Sequence, residues 1–257
     1  MSAVAALLDS RAALLMLRRT IAPGPPTVVA CRSSAALGRA YAEHLLDAVV
    51  IGVKGLRHPD LSLLRARFPH VPVIVYGPFR PDDGDLLLRL SSSEAVAAIA
   101  VEGVDDPVVG DLVRRHSLCR ARADALAEAP RLLRLTEVIQ RGAWERLVML
   151  AGRAVQTDEL AGWLGLSREH LSRQFGAGGA PNLKRVIDLL RIICAAQLLA
   201  NPGYEVKTVA RLLEFATPSH LHAMSRRITG LPASGLAGLG ITGVLGTFLR
   251  RGTRSRR

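Results

Sequence analysis

The sequence lacks the short signatures that identify nucleotide-binding enzymes. It contains neither GxGxxG nor GxxxxGK[ST], the patterns that place phosphate groups against glycine-rich loops. The first half holds four scattered histidines without a serine, cysteine or aspartate partner at an informative spacing: His44, His58, His70 and His116. Three acidic residues follow a proline, a pattern typical of a solvated helix start: Asp82, Asp83 and Asp85. We therefore expect no enzymatic activity and no cofactor.

Cysteine is scarce as well. The three cysteines are Cys31, Cys119 and Cys194, and none belongs to a CxxC pair or to a cluster with histidine. Such spacing excludes a disulfide framework and a cysteine-based zinc site. The cysteines are instead predicted to be buried thiols of a protein in a reducing compartment.

The sequence also lacks a recognisable targeting or membrane segment. Asp9 and Arg11 interrupt the first apolar run, and the basic pair Arg18-Arg19 follows that run, the reverse of a secretory signal. Residues 228–249 carry no charge, but six glycines interrupt them, which argues against a membrane helix. We expect this segment to fold on the domain before it, followed by a disordered arginine tail that contacts phosphates. A cytoplasmic protein without membrane contact is predicted.

Positive charge is abundant and unevenly placed. The chain has 34 basic and 22 acidic side chains, a net charge of +12. Residues 1–116 hold 13 basic and 12 acidic side chains, whereas residues 117–257 hold 21 and 10. A codon bias toward arginine would account for the low lysine content, but it would not concentrate charge in one half. The second half is therefore predicted to bind a polyanion.

The first half alternates helical and strand patterns. Residues 2–19 are predicted to form a helix that ends near Pro23. Four β-rich runs follow: Thr27–Cys31, Ala48–Val53, Val71–Tyr76 and Ala97–Val101. Helical patterns lie between or after them: Ala35–Leu46, Leu61–Phe68, Asp83–Leu90 and Val108–Arg115. Continuous apolar strands separated by helices predict an α/β domain with a parallel sheet.

Three consecutive runs, Asp47–Gly52, Leu61–Phe68 and Val71–Tyr76, resemble the middle of a response-regulator receiver domain. The resemblance implies a flavodoxin-like sheet. A receiver that accepts phosphate has an acidic pair after its first strand, an aspartate at the end of its central strand, and later a hydroxyl and a lysine. Here the first three of these places hold Cys31-Arg32, Gly52 and Gly77, and no lysine follows the last strand within residues 1–117. We predict a receiver-like domain that is not phosphorylated, because no carboxylates are present to hold Mg²⁺. The sequence also leaves open whether a small effector binds at the loops after Cys31, Val53 and Gly77.

The middle segment, residues 118–153, is predicted to be helical throughout. Pro130 marks a restart and Gly142 a break in the helical pattern. We interpret the segment as a connector between two domains. Its leucine-rich face leaves open dimerisation with a second copy of the chain.

The stretch from Thr157 to Leu236 contains one small design twice. Leu160–Ser167 is followed by Leu171 and Phe175, and 49 residues later Val209–Thr217 is followed by Leu221. Each copy is a short helix, a tight break, a hydroxyl that can cap the next helix, and a second helix. A long amphipathic helix, Leu183–Ala200, joins the copies. The pattern predicts two helix-turn-helix motifs joined by this one helix, which we call the strut.

In the first copy, we expect Thr157 to cap the first helix, Gly165 to permit the turn and Ser167 to cap the second helix. At about 100° per residue, Leu171 and Phe175 point inward while Glu169 and Arg173 point outward. The side chains predicted to enter the major groove are Arg168, Glu169, His170, Ser172 and Arg173. The alternative is that Glu169 and Arg173 form an exposed i,i+4 ion pair.

The pattern continues through further positions: Arg191, Ala195 and Leu198-Leu199 on the strut, then Phe215 and residues 226–232. With these positions, residues 157–235 resemble the AraC/XylS-type DNA-binding domain of bacterial transcription regulators. The resemblance implies seven helices, with two recognition helices in successive major grooves about 34 Å apart.

The second copy departs from that family in two places. Glu214 stands where the family usually has glycine, and Ser225 where it usually has a core phenylalanine. A serine there leaves a void and an unpaired hydroxyl, which would cost on the order of 3 kcal/mol without compensation. We predict that Arg226 and Arg227 contact phosphates more than bases. The predicted DNA-binding side chains of this copy are Ser219, His220, His222, Arg226 and Arg227. No metal site is expected at the two histidines.

The sequence therefore predicts an α/β domain followed by an all-α double helix-turn-helix domain. The predicted boundaries are 1–117 for the receiver-like domain, 118–153 for the connector, 154–240 for the DNA-binding domain and 241–257 for a Gly-rich and basic tail. The predicted function is that of a transcription regulator whose partner is double-stranded DNA. The alternative is an interaction or scaffold protein whose helix-turn-helix unit has decayed.

Overall fold

The computed structural model describes residues 2–22, 26–56, 59–93, 95–150, 152–175 and 177–252, without the side chains of residues 59–61 and 177. The chain forms two compact units. Residues 1–121 and 201–203 make up the first, and residues 122–200 and 204–257 make up the second.

The first unit is built on a five-stranded parallel sheet with the order β2-β1-β3-β4-β5. The strands are β1 (Ser2–Leu7), β2 (Thr27–Ala30), β3 (Leu45–Ile51), β4 (Val73–Gly77) and β5 (Ala98–Val101). This is the strand order of flavodoxin-like folds. The prediction of an α/β domain with a parallel, flavodoxin-like sheet is confirmed.

Six helices connect or follow these strands: α1 (Arg11–Ile21), α2 (Ser34–Glu43), α3 (Val53–Leu56), α4 (Pro59–Arg67), α5 (Gly84–Ser91) and α6 (Val109–Arg115). Helices α1 and α6 pack together beside the sheet, where Leu17, Val109 and Val113 are buried with the strand side chains Val4 and Ile74. The carboxyl ends of the strands thus form one edge, to which the loops after β1, β3 and β5 belong.

The prediction of a single helix over residues 2–19 is wrong. Residues 2–7 form β1, and only residues 11–21 form α1. Strand β1 lies between β2 and β3, and its side chains from Ala3 to Ala6 are at most 1% exposed. A strand that is buried on both faces lacks the alternation of polar and apolar residues by which a strand is distinguished from an alanine-rich helix. The Ser10 hydroxyl accepts the Ala13 N–H at 2.9 Å and begins α1.

In the second unit, the regular secondary structure of the described residues consists of helices. They are α7 (Leu118–Ala125), α8 (Ala129–Leu132), α9 (Val138–Met149), α10 (Thr157–Trp163), α11 (Arg168–Gln174), α12 (Leu183–Leu199), α13 (Val206–Leu212), α14 (Pro218–Thr229) and α15 (Gly240–Arg250). Helix α7 begins in the first unit and ends in the second. Helix α12 is central, because its side chains from Leu189 to Leu198 are buried except for Arg191. This confirms the all-α class of the C-terminal part.

The predicted break at Gly142 is wrong, because α9 runs through it without interruption. The Glu137 N–H donates to the Gln140 side-chain oxygen at 3.1 Å and closes the start of the helix. Trp144 and Leu147 are buried on its inner face. An interior glycine costs about 1 kcal/mol relative to alanine, which the burial of these large side chains outweighs.

Arg122 ties three helices of the second unit together. Its side chain is buried, and it donates to the Val148 carbonyl at 3.1 and 3.0 Å and to the Gln197 side-chain oxygen at 2.8 Å. These bonds join α7, α9 and α12. A buried guanidinium is tolerated only with such acceptors, because its desolvation is costly.

The uncharged stretch 228–249 folds on the second unit, as predicted. Most of it after Gly240 forms α15, which packs against α12 and buries Val244, Leu245 and Phe248. The Arg185 guanidinium lies 5.1 Å from the Phe248 ring centre.

The predicted disordered arginine tail falls mainly on residues 253–257, outside the described residues. Over the part of the chain that the structure describes, no helix has both the length and the apolar character needed to cross a bilayer.

Candidate nucleic-acid interface

Helices α10 and α11 form the first helix pair. Gly165 in the turn between them has φ = +67°, a left-handed conformation that glycine adopts without strain. The Ser167 hydroxyl accepts the His170 N–H at 3.2 Å, which confirms its predicted role as N-cap. The predicted cap at Thr157 is wrong: Gln156 is the extended residue before α10, and Thr157 is already helical. Asp158 and Glu159 in the first turn favour this helix start through the helix dipole.

The two faces of α11 separate as the helical period predicts. Leu171 and Phe175 are 0% and 5% exposed. The outward face carries four exposed side chains and one half-buried histidine: Arg168, Glu169, Ser172 and Arg173, with His170. The ion pairs of the described residues do not include one between Glu169 and Arg173. Both side chains are therefore free to meet a ligand, whereas Arg168 lies 3.5 Å from Asp158.

Helix α9 braces the end of α11. The Gln140 side-chain amide, which is fully buried, donates to the Gln174 carbonyl at 2.7 Å. This bond satisfies a carbonyl at the C-terminus of α11 that the helix itself leaves without a donor. The predicted connector thus supports α11 directly. A buried glutamine in the sequence gives no indication of its partner 34 residues away.

Helices α13 and α14 form the second helix pair. The Thr217 hydroxyl accepts the His220 N–H at 3.1 Å and begins α14. Glu214 lies in the turn at φ = +56°, the counterpart of Gly165. The second pair therefore keeps the left-handed turn that the first pair builds with glycine, and it does so with a residue that has a Cβ. Such a conformation costs a non-glycine residue on the order of 1–2 kcal/mol.

We expect Glu214→Gly to raise the free energy of unfolding of the second unit by about 1 kcal/mol, because it relieves this strain. The reciprocal change Gly165→Ala should lower it by about 1 kcal/mol. Urea unfolding followed by tryptophan fluorescence measures both, since the two tryptophans of the chain, Trp144 and Trp163, lie in the second unit. A loss of stability in Glu214→Gly would contradict the assignment of strain.

The turn at Glu214 is held by Arg191 of α12. Its guanidinium donates to the Leu213 carbonyl at 2.9 Å and to the Glu214 carbonyl at 3.3 Å. It also lies 3.9 Å from the centre of the Phe215 ring, within the range of a cation–π contact. Burial lowers the pKa of Arg191. The strut thus supplies hydrogen bonds to carbonyls that end α13 and positions the start of α14.

The outward side chains of α14 do not share one environment. Ser219, His220 and Arg226 are exposed. His222 is half-buried, and its Nδ1 accepts the Ala233 N–H at 3.1 Å. That bond fixes the segment after α14. Across the described residues, no group of three His, Cys, Asp or Glu side chains is placed to hold a metal ion.

Arg227 faces the strut. Its guanidinium lies 2.6 Å from the Asp188 carboxylate of α12, which is only 9% exposed. Burial raises the pKa of Asp188, and the charge of Arg227 opposes that rise. The pair fixes α14 against α12. Asp188 was not predicted from the sequence. A single acidic residue within the largely apolar sequence of the strut is the signal that could have indicated a buried ion pair.

Ser225 is fully buried, and its hydroxyl has a partner. It donates to the Leu231 carbonyl at 2.8 Å. The neighbouring Thr229 hydroxyl donates to the Ser225 carbonyl at 2.9 Å. The expected cost of an unpaired hydroxyl is therefore compensated. Gly230, at φ = +82°, ends α14 between these residues and lets the chain turn back toward Ser225.

The α/β unit differs from the sequence prediction at one place. The first strand is β1, so the position after it belongs to Leu8-Asp9 and not to Cys31-Arg32. Asp9 thus supplies one carboxylate at the edge of the sheet, where it accepts the Lys54 N–H at 3.0 Å. A Cβ on Gly52, at the end of β3, would lie 2.7 Å from that carboxylate.

The three cysteines are buried, and none forms a disulfide, which confirms the prediction of buried thiols. Cys31 is the one at the carboxyl edge of the sheet. Burial raises the pKa of its thiol, so it stays protonated at neutral pH and is a poor nucleophile.

Residues 160–237 match a family described as a helix-turn-helix domain. The match covers both helix pairs and the strut, and it includes none of the strands of the α/β unit. No curated protein and no solved structure matches the chain significantly. The matched family supports the AraC-type resemblance found in the sequence. The C-terminal part of the chain therefore contains an AraC-type helix-turn-helix domain, which is a DNA-binding domain of transcription regulators.

Proposed function

We propose that the protein is a sequence-specific transcription regulator that uses two helix-turn-helix motifs joined by α12. The observation that carries this proposal is the outward face of α11. Glu169, Ser172 and Arg173 are exposed there on a helix whose opposite face is buried. An arginine at such a position can donate two hydrogen bonds to guanine, and a glutamate can accept one from cytosine.

The second motif has a more structural role in this proposal. Two of its predicted DNA-binding side chains, His222 and Arg227, already bond within the protein. Ser219, His220 and Arg226 stay exposed and can meet the sugar-phosphate backbone. Contacts of that kind set the register of a protein on the duplex without reading its sequence. We infer that α11 reads bases and that α14 mainly positions the domain.

We propose that the α/β unit is a regulatory domain that is not phosphorylated. Its support is the end of β3, where Gly52 stands in place of an acceptor aspartate. The Asp9 carboxylate occupies the space that a side chain at position 52 would need. Glu102 follows β5, where a receiver has lysine, and it accepts a hydrogen bond from Ser10 at 2.8 Å. Neither contact serves the transfer of a phosphoryl group.

The scaffold alternative is favoured by one observation, the use of His222 and Arg227 within the fold. Two other observations oppose it. The Ser225 hydroxyl has a hydrogen-bond partner, the Leu231 carbonyl, and Arg191 still holds the turn at Glu214 through the Leu213 carbonyl. A decayed unit would not be expected to keep such contacts.

Titration of duplex DNA at several salt concentrations tests the regulator proposal. The duplexes are one recovered from a randomised pool by binding to the full chain and one with the same composition in scrambled order. We expect preferred binding to the recovered duplex and a slope of log affinity against log salt of roughly −5 or steeper, as for about six neutralised phosphates. A flat salt response with equal binding of both duplexes would instead support the scaffold alternative.

A further inference from the structure

A cleft of about 690 Å³ opens at the carboxyl edge of β1 and β2 in the α/β unit. Three arginines line it: Arg11, Arg18 and Arg32. The rest of the lining includes the apolar side chains Leu8 and Leu14. A volume of this size suits a small organic ligand, and the edge at which it lies is where parallel α/β sheets bind their ligands.

The arginines reach the cleft from two elements. Arg11 and Arg18 are seven residues apart on α1, with Leu14 between them, so the three share one face of the helix. Arg32 comes from the loop between β2 and α2. All three are exposed, and among the described residues none lies within 4.0 Å of a carboxylate. Their guanidinium groups are therefore available to an anion.

Two further features favour a negative ligand. The amino-terminal end of α1 borders the cleft, and its dipole adds positive potential there. The acidic residue of the lining, Asp9, is already engaged with the Lys54 N–H at 3.0 Å. The Glu102 carboxylate accepts a hydrogen bond from Ser10 of the lining. Two carboxylates beside three guanidinium groups still leave the cleft with a net positive charge.

We propose that this cleft binds a small organic phosphate. The phosphate group would be held by the arginines, whose planar donors fit phosphate oxygens in pairs. The apolar part of the ligand would lie against Leu8 and Leu14. Binding itself is independent of the function proposed above. Only the consequence, that the ligand acts as an effector of DNA binding, rests on that proposal.

Binding of phenyl phosphate to the full chain tests the site, with inorganic phosphate, benzoate and phenol as comparison probes in titration calorimetry. We expect saturable binding of phenyl phosphate, weaker binding of inorganic phosphate and benzoate, and none of phenol. Arg18→Glu and Arg32→Glu should each weaken binding about 10-fold or more, since each removes a charge-assisted contact. The matched control is Arg19→Glu, which changes an exposed arginine of the same helix that does not line the cleft, and it should change the affinity less than two-fold.

Three outcomes would overturn the proposal. The first is no saturable binding of any phosphate. The second is an equal loss in Arg19→Glu, which would indicate only general electrostatic attraction. The third is that Arg18→Glu weakens DNA binding while phenyl phosphate does not bind, because the arginines would then belong to the nucleic-acid surface. A chain that binds phenyl phosphate but no DNA would leave this site standing and refute the regulator proposal alone.

Discussion

Replacing Glu169 and Arg173 together by alanine is expected to weaken binding to the preferred duplex by about 100-fold or more, because each base contact contributes about 1–3 kcal/mol. The two replacements remove one negative and one positive charge, so the net charge is unchanged and binding to unrelated DNA should be nearly preserved. The sequence preference, measured as the ratio of the two affinities at one salt concentration, should therefore collapse.

The chain offers a matched control for this experiment. Arg141 and Glu145 are also an exposed basic and acidic pair at i,i+4, and they lie on α9. Their joint replacement by alanine should leave the sequence preference within two-fold of the parent protein. An unchanged preference in the Glu169 and Arg173 variant would show that α11 does not read bases, and the regulator proposal would lose its main support.

The second prediction with a large expected effect concerns the stability of the second unit and the buried face of α14. Ser225→Phe restores the residue that the family usually has, yet we expect it to destabilise the second unit by roughly 3 kcal/mol or more. The new ring would have to enter a fully buried position, and the Leu231 carbonyl would lose its donor. Urea unfolding followed by the fluorescence of Trp144 and Trp163 measures the change.

Two variants separate overpacking from the lost hydrogen bond. Ser225→Ala removes the bond without adding volume and should cost about 1 kcal/mol. Ser219→Phe adds the same ring to an exposed position of the same helix and should cost less than about 0.5 kcal/mol. If Ser225→Phe instead proved as stable as the parent, a void would exist beside this serine, as the sequence had suggested.

Local periodicity predicted much of the fold. The repeated spacing of apolar residues located α10 to α14, and the glycine at position 165 marked a left-handed turn that the structure contains. These features depend on neighbours within a few residues, so a pattern in the sequence is sufficient. Strand β1 was missed for the complementary reason: burial on both faces removes the alternation from which a strand is predicted.

Long-range pairings could not be predicted in the same way. Arg227 was interpreted as a phosphate contact, but it meets Asp188, which is 39 residues distant. Gln140 supports the end of α11 from a segment interpreted as a connector. Each partner is a common polar residue, and no spacing rule joins them. The loop after Cys31, where an effector was left open, contributes Arg32 to the arginine-lined cleft. Arg11 and Arg18 were missed, because their place depends on the β1-α1 connection that the sequence pattern concealed.

The packing of α15 and α9 has a practical consequence for handling the protein. Both helices lie outside residues 160–237, yet they cover parts of the strut and of α11. A fragment trimmed to the matched range would discard Phe248 and Gln140, so apolar surface of the strut would face water and a helix end would lose its donor. We expect such a fragment to self-associate during purification. We expect a fragment that begins near Arg122 and extends through Gly252 to keep both of these helices in place.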